Sequence, residues 1–217
     1  MLEKMGEFFD NRLDGYEEHQ LTCIESAQEF YPFTANCLPL QEKANVLDLG
    51  CGTGLELDYY FKLNPSARVT GIDLAPGMLA ALKEKFSDKD VTLIQGSYFD
   101  VPFSKNTYDA AVSVESLHHF TKDEKVPLYR RLYKALKADG YFILTDYFAQ
   151  SEDEEIFYKS ELKRMKAEQG IADDEFYHYD TPLTVEHETQ ALKEAGFSSV
   201  EILGRWGNTC TFKVSKF

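Results

Sequence analysis

The chain has 217 residues, which is enough for one well-buried domain, and we expect a single domain over residues 1–217. A composition of 43% hydrophobic and 14% aromatic residues is globular and excludes a disordered chain. The 37 acidic residues outnumber the 23 basic ones and give a formal charge of -14, so the surface repels phosphate backbones and disfavours a nucleic-acid partner.

The N-terminal stretch MLEKMGEFFDNRLDGYEEH carries charges throughout and has no apolar core, so we expect no signal peptide. No apolar run approaches the roughly 18 residues of a membrane helix, and we expect no membrane partner. The four cysteines are scattered, without the paired spacing of a zinc or redox motif. This pattern predicts free thiols, a cytoplasmic location and no metal.

Strand-like and helix-like segments alternate through the middle of the chain. Runs rich in β-branched or aliphatic residues predict strands at Asn45–Gly50, Arg68–Asp73, Val91–Gly96, Tyr108–Val114 and Gly140–Asp146. Helical spacing predicts helices at Tyr16–Tyr31, which Pro32 would interrupt, and at Leu55–Leu63, Pro76–Phe86 and Lys122–Lys137. Thr121 and Glu124 have capping-box spacing at the start of the last helix. The alternation predicts an α/β fold, with a parallel sheet, right-handed crossovers and helices on both faces.

The last third of the chain changes character. An acidic, helix-compatible segment and an aromatic stretch follow the fifth predicted strand, at Ser151–Gln169 and Asp173–Thr184. The aromatic side chains either pack the stretch onto the sheet, which we favour, or line a pocket; they are Phe176, Tyr177, His178 and Tyr179. The final elements are a helix at Thr184–Ala195 and two antiparallel strands at Ser199–Leu203 and Thr209–Ser215, joined by Gly204–Asn208.

The segment VLDLGCGTGLEL places Gly50, Gly52 and Gly54 where a predicted strand leads into a helix. Glycine has no Cβ, so a ligand can approach the backbone closely. The free N–H groups and the positive end of the helix dipole then suit a phosphate or a carboxylate. The alternative is a turn that only allows tight packing of strand on helix.

An acidic residue, Asp73, ends the second predicted strand in GIDLAPGML. In dinucleotide folds an acid about 20 residues beyond the glycine loop binds the ribose hydroxyls. The alternative is a helix cap, with Pro76 in the first turn. The third glycine of the dehydrogenase fingerprint would fall at Leu55, and no P-loop motif is present, which argues against both of those nucleotide sites.

Four motifs in order, VLDLGCGTG, GIDLAPGML, YDAAVSVESLHHF and LKADGYFILTD, resemble those of the class I S-adenosylmethionine-dependent methyltransferases. The resemblance covers about residues 45–146, and the tail resembles that family's closing hairpin. It implies a Rossmann-like, mostly parallel sheet of seven strands with the last antiparallel. It divides the chain into an N-terminal helical cover (1–44), a cofactor-binding core (45–146), a substrate-cover insert (147–183) and a helix with the closing β-hairpin (184–217).

The resemblance also implies S-adenosyl-L-methionine as cofactor and methyl transfer to a small-molecule nucleophile. In such enzymes the loop Gly50–Gly54 lies under the methionine moiety, Asp48 orients the amino group and Asp73 binds both ribose hydroxyls. The implied cofactor-binding residues are Tyr16, Asp48, Gly50, Cys51, Gly52, Thr53, Gly54, Asp73, Leu74, Met78, Gly96, Ser97, Tyr98, Val114, Glu115 and Ser116.

Two of these assignments have alternatives. Many small-molecule members of the family fold a tyrosine over the cofactor carboxylate, and Tyr16 is either that residue or an exposed helix residue. The family often has an acid after the third strand that binds the adenine amino group, but this chain has Ser97 there. Either Ser97 or Tyr98 replaces that contact, or Ser97 is an ordinary turn residue.

The adjacent His118 and His119 are the candidate catalytic residues. Adjacent side chains do not point the same way, so at most one faces the reaction centre, where a neutral imidazole accepts a proton from the nucleophile. The alternative is a purely structural role for both. Asp146, Tyr147 and Asp180 are weaker pocket candidates, and we expect Trp206 to be structural.

Other enzyme classes lack their signatures. Amino-methylating enzymes acting on adenine, cytosine or glutamine carry an Asn/Asp-Pro-Pro-aromatic loop where this chain reads SVES, and no cysteine follows a proline as cytosine-C5 enzymes require. We expect a small-molecule substrate and a monomer or homodimer. The rival functions are a non-catalytic S-adenosylmethionine-binding sensor or partner subunit, and an alkyl transferase that uses a modified S-adenosylmethionine.

Overall fold

The computed structural model describes residues 1–172 and 175–217. Residues 173–174, at the start of the predicted aromatic stretch, lie outside the described residues. The described strands are β1 (Asn45–Leu49), β2 (Arg68–Asp73), β3 (Asp90–Gln95), β4 (Tyr108–Val114), β5 (Leu136–Tyr147), β6 (Ser199–Trp206) and β7 (Thr209–Ser215). They form one seven-stranded sheet in the order β3-β2-β1-β4-β5-β7-β6. The strands β1 to β5 pair in parallel, whereas β7 is antiparallel to both β5 and β6, which confirms the predicted fold class.

The described helices are α1 (Met5–Asp10), α2 (Tyr16–Cys23), α3 (Ala27–Asn36), α4 (Leu55–Leu63), α5 (Pro76–Lys85), α6 (Lys122–Ala135), α7 (Glu152–Gln169) and α8 (Val185–Glu194), with a short 3₁₀ helix at Leu117–His119. The capping box of Thr121 and Glu124 is present, as predicted. The acidic helix after the fifth strand is α7, which begins at a Ser151 cap. Within the described ranges, no helix combines the length and the apolar character needed to cross a membrane.

The prediction that one helix spans Tyr16–Tyr31 and ends at Pro32 is wrong. The break comes earlier, between α2 and α3, where Ser26 has a left-handed backbone with φ of 60°. Pro32 then lies inside α3. It deprives the carbonyl of Gln28 of its helical partner, and the burial of Phe30 and its neighbours compensates for that loss.

β5 and β6 are longer than the sequence predicts, whereas β7 has the predicted bounds. β5 starts at Leu136 rather than Gly140, and the register shifts where it joins β4. β6 continues to Trp206, so that only Gly207 and Asn208 form the hairpin turn. Gly207 has φ of 56°, which suits the two-residue turn of a tight hairpin.

Helices cover both faces of the sheet because successive strand residues point to opposite sides. Val46 and Ile143 lie in one buried cluster, together with side chains of α3 and α4. Their neighbours Leu47 and Phe142 lie in the other, together with side chains of α6 and α8. The carboxyl ends of β1 and β4 remain uncovered by these helices and face the N-terminal segment.

The N-terminal segment is attached to the insert that follows β5. The Met5 N–H donates to the Phe176 carbonyl at 3.1 Å, and the His178 N–H donates to the Glu3 carbonyl at 2.9 Å. At the other end of α1, Asp10 Oδ1 accepts a hydrogen bond from the first turn of α5 at 2.8 Å. The segment and the insert therefore form one cover over the carboxyl edge of the sheet.

A buried charge pair joins α6 to α8 and gives a stability prediction. Lys125 is 1% and Glu188 0% exposed, with Nζ and Oε2 2.6 Å apart, and the Tyr129 hydroxyl also donates to Glu188. We expect Glu188→Ala to lower the free energy of unfolding by about 3–5 kcal/mol, because it leaves the Lys125 charge buried and unpaired. Urea unfolding monitored by circular dichroism measures the change.

The matched control is Glu168→Ala, which removes an exposed pair with Arg164 at 2.6 Å and is expected to cost at most about 1 kcal/mol. The apolar double variant Lys125→Met with Glu188→Leu should recover most of the lost stability. Equal losses of unfolding free energy in Glu188→Ala and Glu168→Ala would contradict the conclusion that the buried ion pair of Lys125 and Glu188 stabilises the fold.

Candidate active site

The candidate site lies at the carboxyl ends of β1 and β4. The chain leaves these adjacent strands toward opposite sides, and the crevice that opens at such a point is where open α/β sheets bind their ligands. Two cavities occur here, a crevice of about 60 Å³ and a larger cavity of about 1040 Å³. Phe9, Tyr16, Glu115 and His119 line both, so a single wall separates them.

The smaller crevice gathers most of the predicted cofactor-binding residues. Those on its wall are Tyr16, Gly50, Gly52, Asp73, Leu74, Met78, Tyr98, Val114, Glu115 and Ser116. Residues that come from five separate parts of the chain thus meet around one small volume. The N-terminal segment closes the mouth of the crevice with Met5 and Phe9, neither of which the sequence pattern identified. The amphipathic spacing of α1 could have identified these two residues in the sequence. However, a helix of six residues is too short for its periodicity to be recognised.

The other predicted cofactor residues lie beside the crevice and not on its wall. They are Asp48, Cys51, Thr53, Gly54, Gly96 and Ser97. The Cys51 side chain is buried and packs against Gly71 of β2. Ser97 Oγ accepts a hydrogen bond from the Phe99 N–H at 3.2 Å, as a turn serine does. Tyr98 is the neighbour that reaches the crevice, with its hydroxyl 3.2 Å from Ser116 Oγ.

The glycine loop keeps the crevice open at one point and allows helix packing at another. Gly50 has φ of 72°, and a Cβ there would overlap Ser116 Oγ and lie 2.7 Å from Ser116 Cβ. A Cβ on Gly54 would instead lie 2.9 Å from the Phe86 ring, beneath α4. Gly50 therefore faces the crevice, whereas Gly54 allows close packing in the core.

Asp73 links the glycine loop to the start of α5. The Gly52 N–H donates to Asp73 Oδ2 at 2.8 Å, and the Ala75 N–H donates to Oδ1 at 2.9 Å. Burial raises the pKa of Asp73, and these two hydrogen bonds oppose that rise. A carboxylate has about four acceptor positions, so two remain for the hydroxyl pair of a ribose. The N-cap of α5 is Ala75, so Asp73 shapes the turn before the helix and is not itself the cap.

Buried acceptors without a donor surround the crevice. Asp48 Oδ2, Glu56 Oε1 and Glu115 Oε1 have no hydrogen-bond partner among the described residues, and neither does Thr53 Oγ1. Asp48 is 1% and Glu56 4% exposed, and burial followed by the charge of Glu56 raises the pKa of Asp48. Because the charged forms of such neighbouring buried acids are costly, this group of oxygens suits a ligand that carries positive charge.

Two of these acids, Glu56 and Glu115, have features that bear on how a functional site can be recognised. Glu56 was missed by the sequence reasoning, although an acid in the first turn of the helix after a glycine loop is a readable signal. Glu115 has a left-handed backbone with φ of 48°, a strained conformation that concentrates at functional sites. Burial and then the charge of Asp146 raise the pKa of Glu115 to about 8.

The two histidines lie in a chain of carboxylates beside the larger cavity. His118 Nδ1 is 2.5 Å from Asp146 Oδ1, and His119 Nδ1 is 3.0 Å from Asp180 Oδ1. The Leu117 N–H donates to the second oxygen of Asp146 at 2.8 Å and fixes that carboxylate. Both histidines line the larger cavity, and His119 alone of the two also lines the crevice.

The two imidazoles differ in charge because their surroundings differ. Burial alone would lower the pKa of His118, but the charge of Asp146 and its hydrogen bond outweigh burial and raise it to about 9. Burial and the neighbouring His118 lower the pKa of His119. At neutral pH the pair therefore consists of one imidazolium and one neutral imidazole.

The larger cavity is walled by aromatic and acidic side chains. The weaker candidates Tyr147 and Asp180 lie on its wall, and so does Trp206, which the sequence analysis assigned a structural role. His178 of the aromatic stretch also lines it, and stacks on Phe8 with ring centroids 3.5 Å apart. Packing and pocket lining are therefore combined in this stretch, because the insert covers the sheet and bounds the cavity at the same time.

The fold and the crevice define a class of protein, the methyltransferases that use S-adenosylmethionine. The family profile described as a methyltransferase domain matches residues 46–140. Carboxy-S-adenosyl-L-methionine synthase from Wolinella succinogenes is 30% identical over 234 aligned positions, covering 99% of this chain and 92% of that protein. The chain belongs to the class I S-adenosylmethionine-dependent methyltransferases, and S-adenosylmethionine is its cofactor or cosubstrate.

Other similarities are partial or structural. Erythromycin 3''-O-methyltransferase from Saccharopolyspora erythraea is 27% identical over 126 residues, which is 56% of this chain and 40% of that protein. The match to an uncharacterised protein from Synechococcus covers only 24% of the length of that protein. Human N-acetylserotonin methyltransferase in complex with its cofactor has a similar fold, with a TM-score of 0.63 at 18% identity over 88% of this chain and 52% of that one.

The first site prediction concerns Gly50. We expect Gly50→Ala to weaken S-adenosylmethionine binding at least about tenfold, because the added Cβ overlaps Ser116 and adds about 1–2 kcal/mol of left-handed strain. The control is Gly170→Ala, which has a φ of 66° and nothing within 4 Å of its Cβ. It adds the same strain without the overlap. Calorimetric titration of both variants measures the difference, and equal affinities would contradict the steric argument.

The second site prediction concerns Asp73. We expect Asp73→Ala to weaken S-adenosylmethionine binding by about 1–3 kcal/mol, the usual cost of a lost hydrogen bond from a charged group. Asp109 provides the control, because it also accepts a backbone N–H, from Asn45 at 2.8 Å, but lies outside the crevice. Asp109→Ala should leave the affinity unchanged. A wild-type affinity in Asp73→Ala would remove this carboxylate from the cofactor site.

Proposed function

We propose that this protein transfers the methyl group of S-adenosylmethionine to a small-molecule nucleophile bound in the cavity of about 1040 Å³. The observation that carries the proposal is the wall shared by the two cavities, formed by Phe9, Tyr16, Glu115 and His119. Methyl transfer requires the nucleophile, the methyl carbon and the sulfur to be in line at short distance. A ligand bound in the crevice and a ligand bound in the larger cavity would contact each other at this wall.

The residues of the crevice fit the cofactor. The unpartnered oxygens of Asp48, Glu56 and Glu115 suit its ammonium and sulfonium groups, and the free positions on Asp73 suit its ribose. The gap that a Cβ on Gly50 would fill lets the backbone approach it. When bound, S-adenosylmethionine supplies an electrophilic methyl group, so the chain's own task is binding and orientation.

The N-terminal cover moves when the cofactor binds. The crevice of about 60 Å³ is far below the roughly 300 Å³ or more of an ordinary small-molecule site. Met5 and Phe9 of α1 occupy its mouth, and Tyr16 lies beside them. Packing of Met5 and Phe9 on the core and three hydrogen bonds to the insert and α5 hold α1 and the chain just before it in place. A helix of only six residues can exchange these contacts for contacts with a ligand. The same residues then close over the bound cofactor.

The larger cavity favours a neutral or cationic acceptor of modest size. Its wall includes Asp14, Glu25, Glu115 and Asp180. Among the described residues of the wall, the one arginine or lysine is Arg12, and its guanidinium is bound by both oxygens of Glu3, at 2.8 and 3.1 Å. The described part of the wall therefore offers a polyanion such as a nucleic acid no unpaired arginine or lysine, which supports a small-molecule acceptor.

The catalytic residues of the proposal are His118 and His119. His119 forms part of the wall of both cavities, so it contacts the acceptor's nucleophilic atom close to the cofactor. His118 lies beside it with its ring fixed by Asp146. The chain would act as a monomer or homodimer in the cytoplasm, a location supported by four free cysteines.

Synthesis of carboxy-S-adenosylmethionine is a second candidate function. It is favoured by the similarity to the Wolinella synthase, which spans 92% of that protein. The acidic wall of the larger cavity argues against it, because a donor of a carboxyl group is itself an anion at neutral pH. Mass spectrometry of the nucleoside product separates the two, since methyl transfer leaves S-adenosylhomocysteine and carboxylation does not.

The direct test is methyl transfer to a panel of amines, phenols, thiols and hydroxy acids, with S-adenosylhomocysteine release as the readout. For the best acceptor, we expect His119→Ala to lower kcat about 100-fold, because the nucleophile loses an orienting contact. Its affinity for S-adenosylmethionine should change little. His187→Ala, a substitution in α8 outside both cavities, should keep the wild-type kcat. Tight cofactor binding without transfer to any acceptor would favour the sensor function instead.

A further inference from the structure

We propose that His118, His119 and Asp180 bind one divalent transition-metal ion at the wall of the larger cavity. The site itself stands on geometry alone, whereas the role given to the ion below rests on the proposed methyl transfer. The scattered cysteines of the sequence predict no metal, and this site contains none of them. The third ligand, Asp180, comes from the insert, and only the fold brings it beside the two histidines.

The spacing of the three ligand atoms fits a shared ion. Asp180 Oδ1 lies 3.0 Å from His119 Nδ1 and 3.6 Å from His118 Nε2, and all three atoms are within 4.8 Å of one another. Metal–nitrogen and metal–oxygen bonds of about 2.0–2.2 Å place neighbouring ligands about 3.0–3.4 Å apart. The distance of 3.6 Å is too long for a hydrogen bond. The 3.0 Å contact is also an ordinary hydrogen-bond distance, so the geometry permits an ion without requiring one. A small shift of the His118 ring toward Asp180 would bring Nε2 within the separation that a shared ion imposes.

A second layer of hydrogen bonds orients the ligands. His118 Nδ1 is 2.5 Å from Asp146 Oδ1, and Asp146 is fixed in turn by the Leu117 N–H. The ion takes the place of the second proton of the His118 imidazolium, at Nε2, while the proton on Nδ1 remains hydrogen-bonded to Asp146. This is the carboxylate–histidine–metal arrangement of known metal sites. On the other side, Tyr147 and Asp180 lie together on the wall of the larger cavity.

The carboxyl groups around the two histidines also favour a bound cation. The carboxylates of Glu115, Asp146 and Asp180 converge on the two imidazoles. Glu115 Oε1 is buried and has no partner among the described residues. Its carboxylate, Asp146 and His118 also come within 4.8 Å of one another, so the acidic group continues behind the proposed ligands. The carboxylates of Asp146 and Asp180 stabilise a divalent ion at this point.

The donor set indicates which ion binds and what it does. Two imidazoles and one carboxylate suit zinc, manganese, iron or cobalt, whereas magnesium and calcium prefer oxygen ligands only. Three protein ligands leave coordination positions open toward the cavity. There the ion binds a hydroxyl or thiol of the acceptor and lowers its pKa, and the released proton passes to solvent. The resulting anion is the nucleophile that takes the methyl group.

The experiment uses the full-length protein, stripped of metals with EDTA and dialysed, and titrated calorimetrically with ZnCl₂. We expect one ion per chain and no heat with MgCl₂. His118→Ala, His119→Ala and Asp180→Asn should each weaken Zn²⁺ binding by more than about 100-fold, and Asp146→Asn by about 10- to 100-fold. An asparagine amide at position 146 donates to His118 Nδ1, which moves the ring proton to Nε2 and blocks the ligand.

Two control variants test whether ordinary surface groups bind the ion. His187 has the same partner distances on the surface, 2.9 Å to Glu155 and 3.6 Å to Glu152, and Cys23 lines the same cavity. His187→Ala and Cys23→Ser should keep the wild-type Zn²⁺ affinity. Loss of binding in either control, or wild-type affinity in Asp180→Asn and His119→Ala, overturns the proposal.

Further readouts separate this proposal from protein folding and from the proposed function. Thermal unfolding and S-adenosylmethionine titration show whether each variant is folded, and the visible spectrum of the wild-type protein with Co²⁺ reports nitrogen coordination without any variant. Full methyl transfer by the EDTA-treated enzyme would overturn the role of the ion and leave the methyltransferase function standing. Zn²⁺ binding with no methyl acceptor would leave the site standing and count against that function.

Discussion

The close approach of the chain segments that follow β1 and β4 is the constraint on which the site depends. Gly50 and Ser116 come so near that a single added methyl group at position 50 would overlap the serine side chain. The two strands pair in parallel, so their carboxyl ends lie side by side, and the chain can leave them only toward opposite faces. The crevice exists because this junction carries no side chain at its centre.

The same junction organises the charge of the site. Glu115 leaves β4 in a strained left-handed conformation and stands on the wall between the crevice and the larger cavity. Asp48 and Glu56 lie behind the glycine loop, buried and without donors. Burying these acids without donors costs free energy in the unliganded protein. A cationic ligand removes that cost when it binds, and the removal contributes to its binding free energy.

Much of the fold could be predicted from the sequence, because local signals agree with the tertiary structure there. The glycine loop, the capping box at Thr121 and the β2 strand that ends at Asp73 each reflect interactions between residues close in the chain. The prediction failed at Pro32, because the burial of α3 against the sheet outweighs the loss of one backbone hydrogen bond. It also missed α1, whose six residues are ordered by contacts with the insert.

The sequence by itself determined the class of the protein, the order of its strands and helices, and most of the residues around the crevice, because these follow from periodicity and from motifs within single loops. Only the tertiary structure decided which of these residues face the same space. It turned Cys51 and Gly54 toward the core, and it joined Asp180 to the two histidines across a long chain separation. The physical reason is that these contacts join residues far apart in the chain, which no local pattern encodes. Cys51 and Gly54 pack against Gly71 and Phe86, respectively. The docking of the insert brings Asp180 to the histidines.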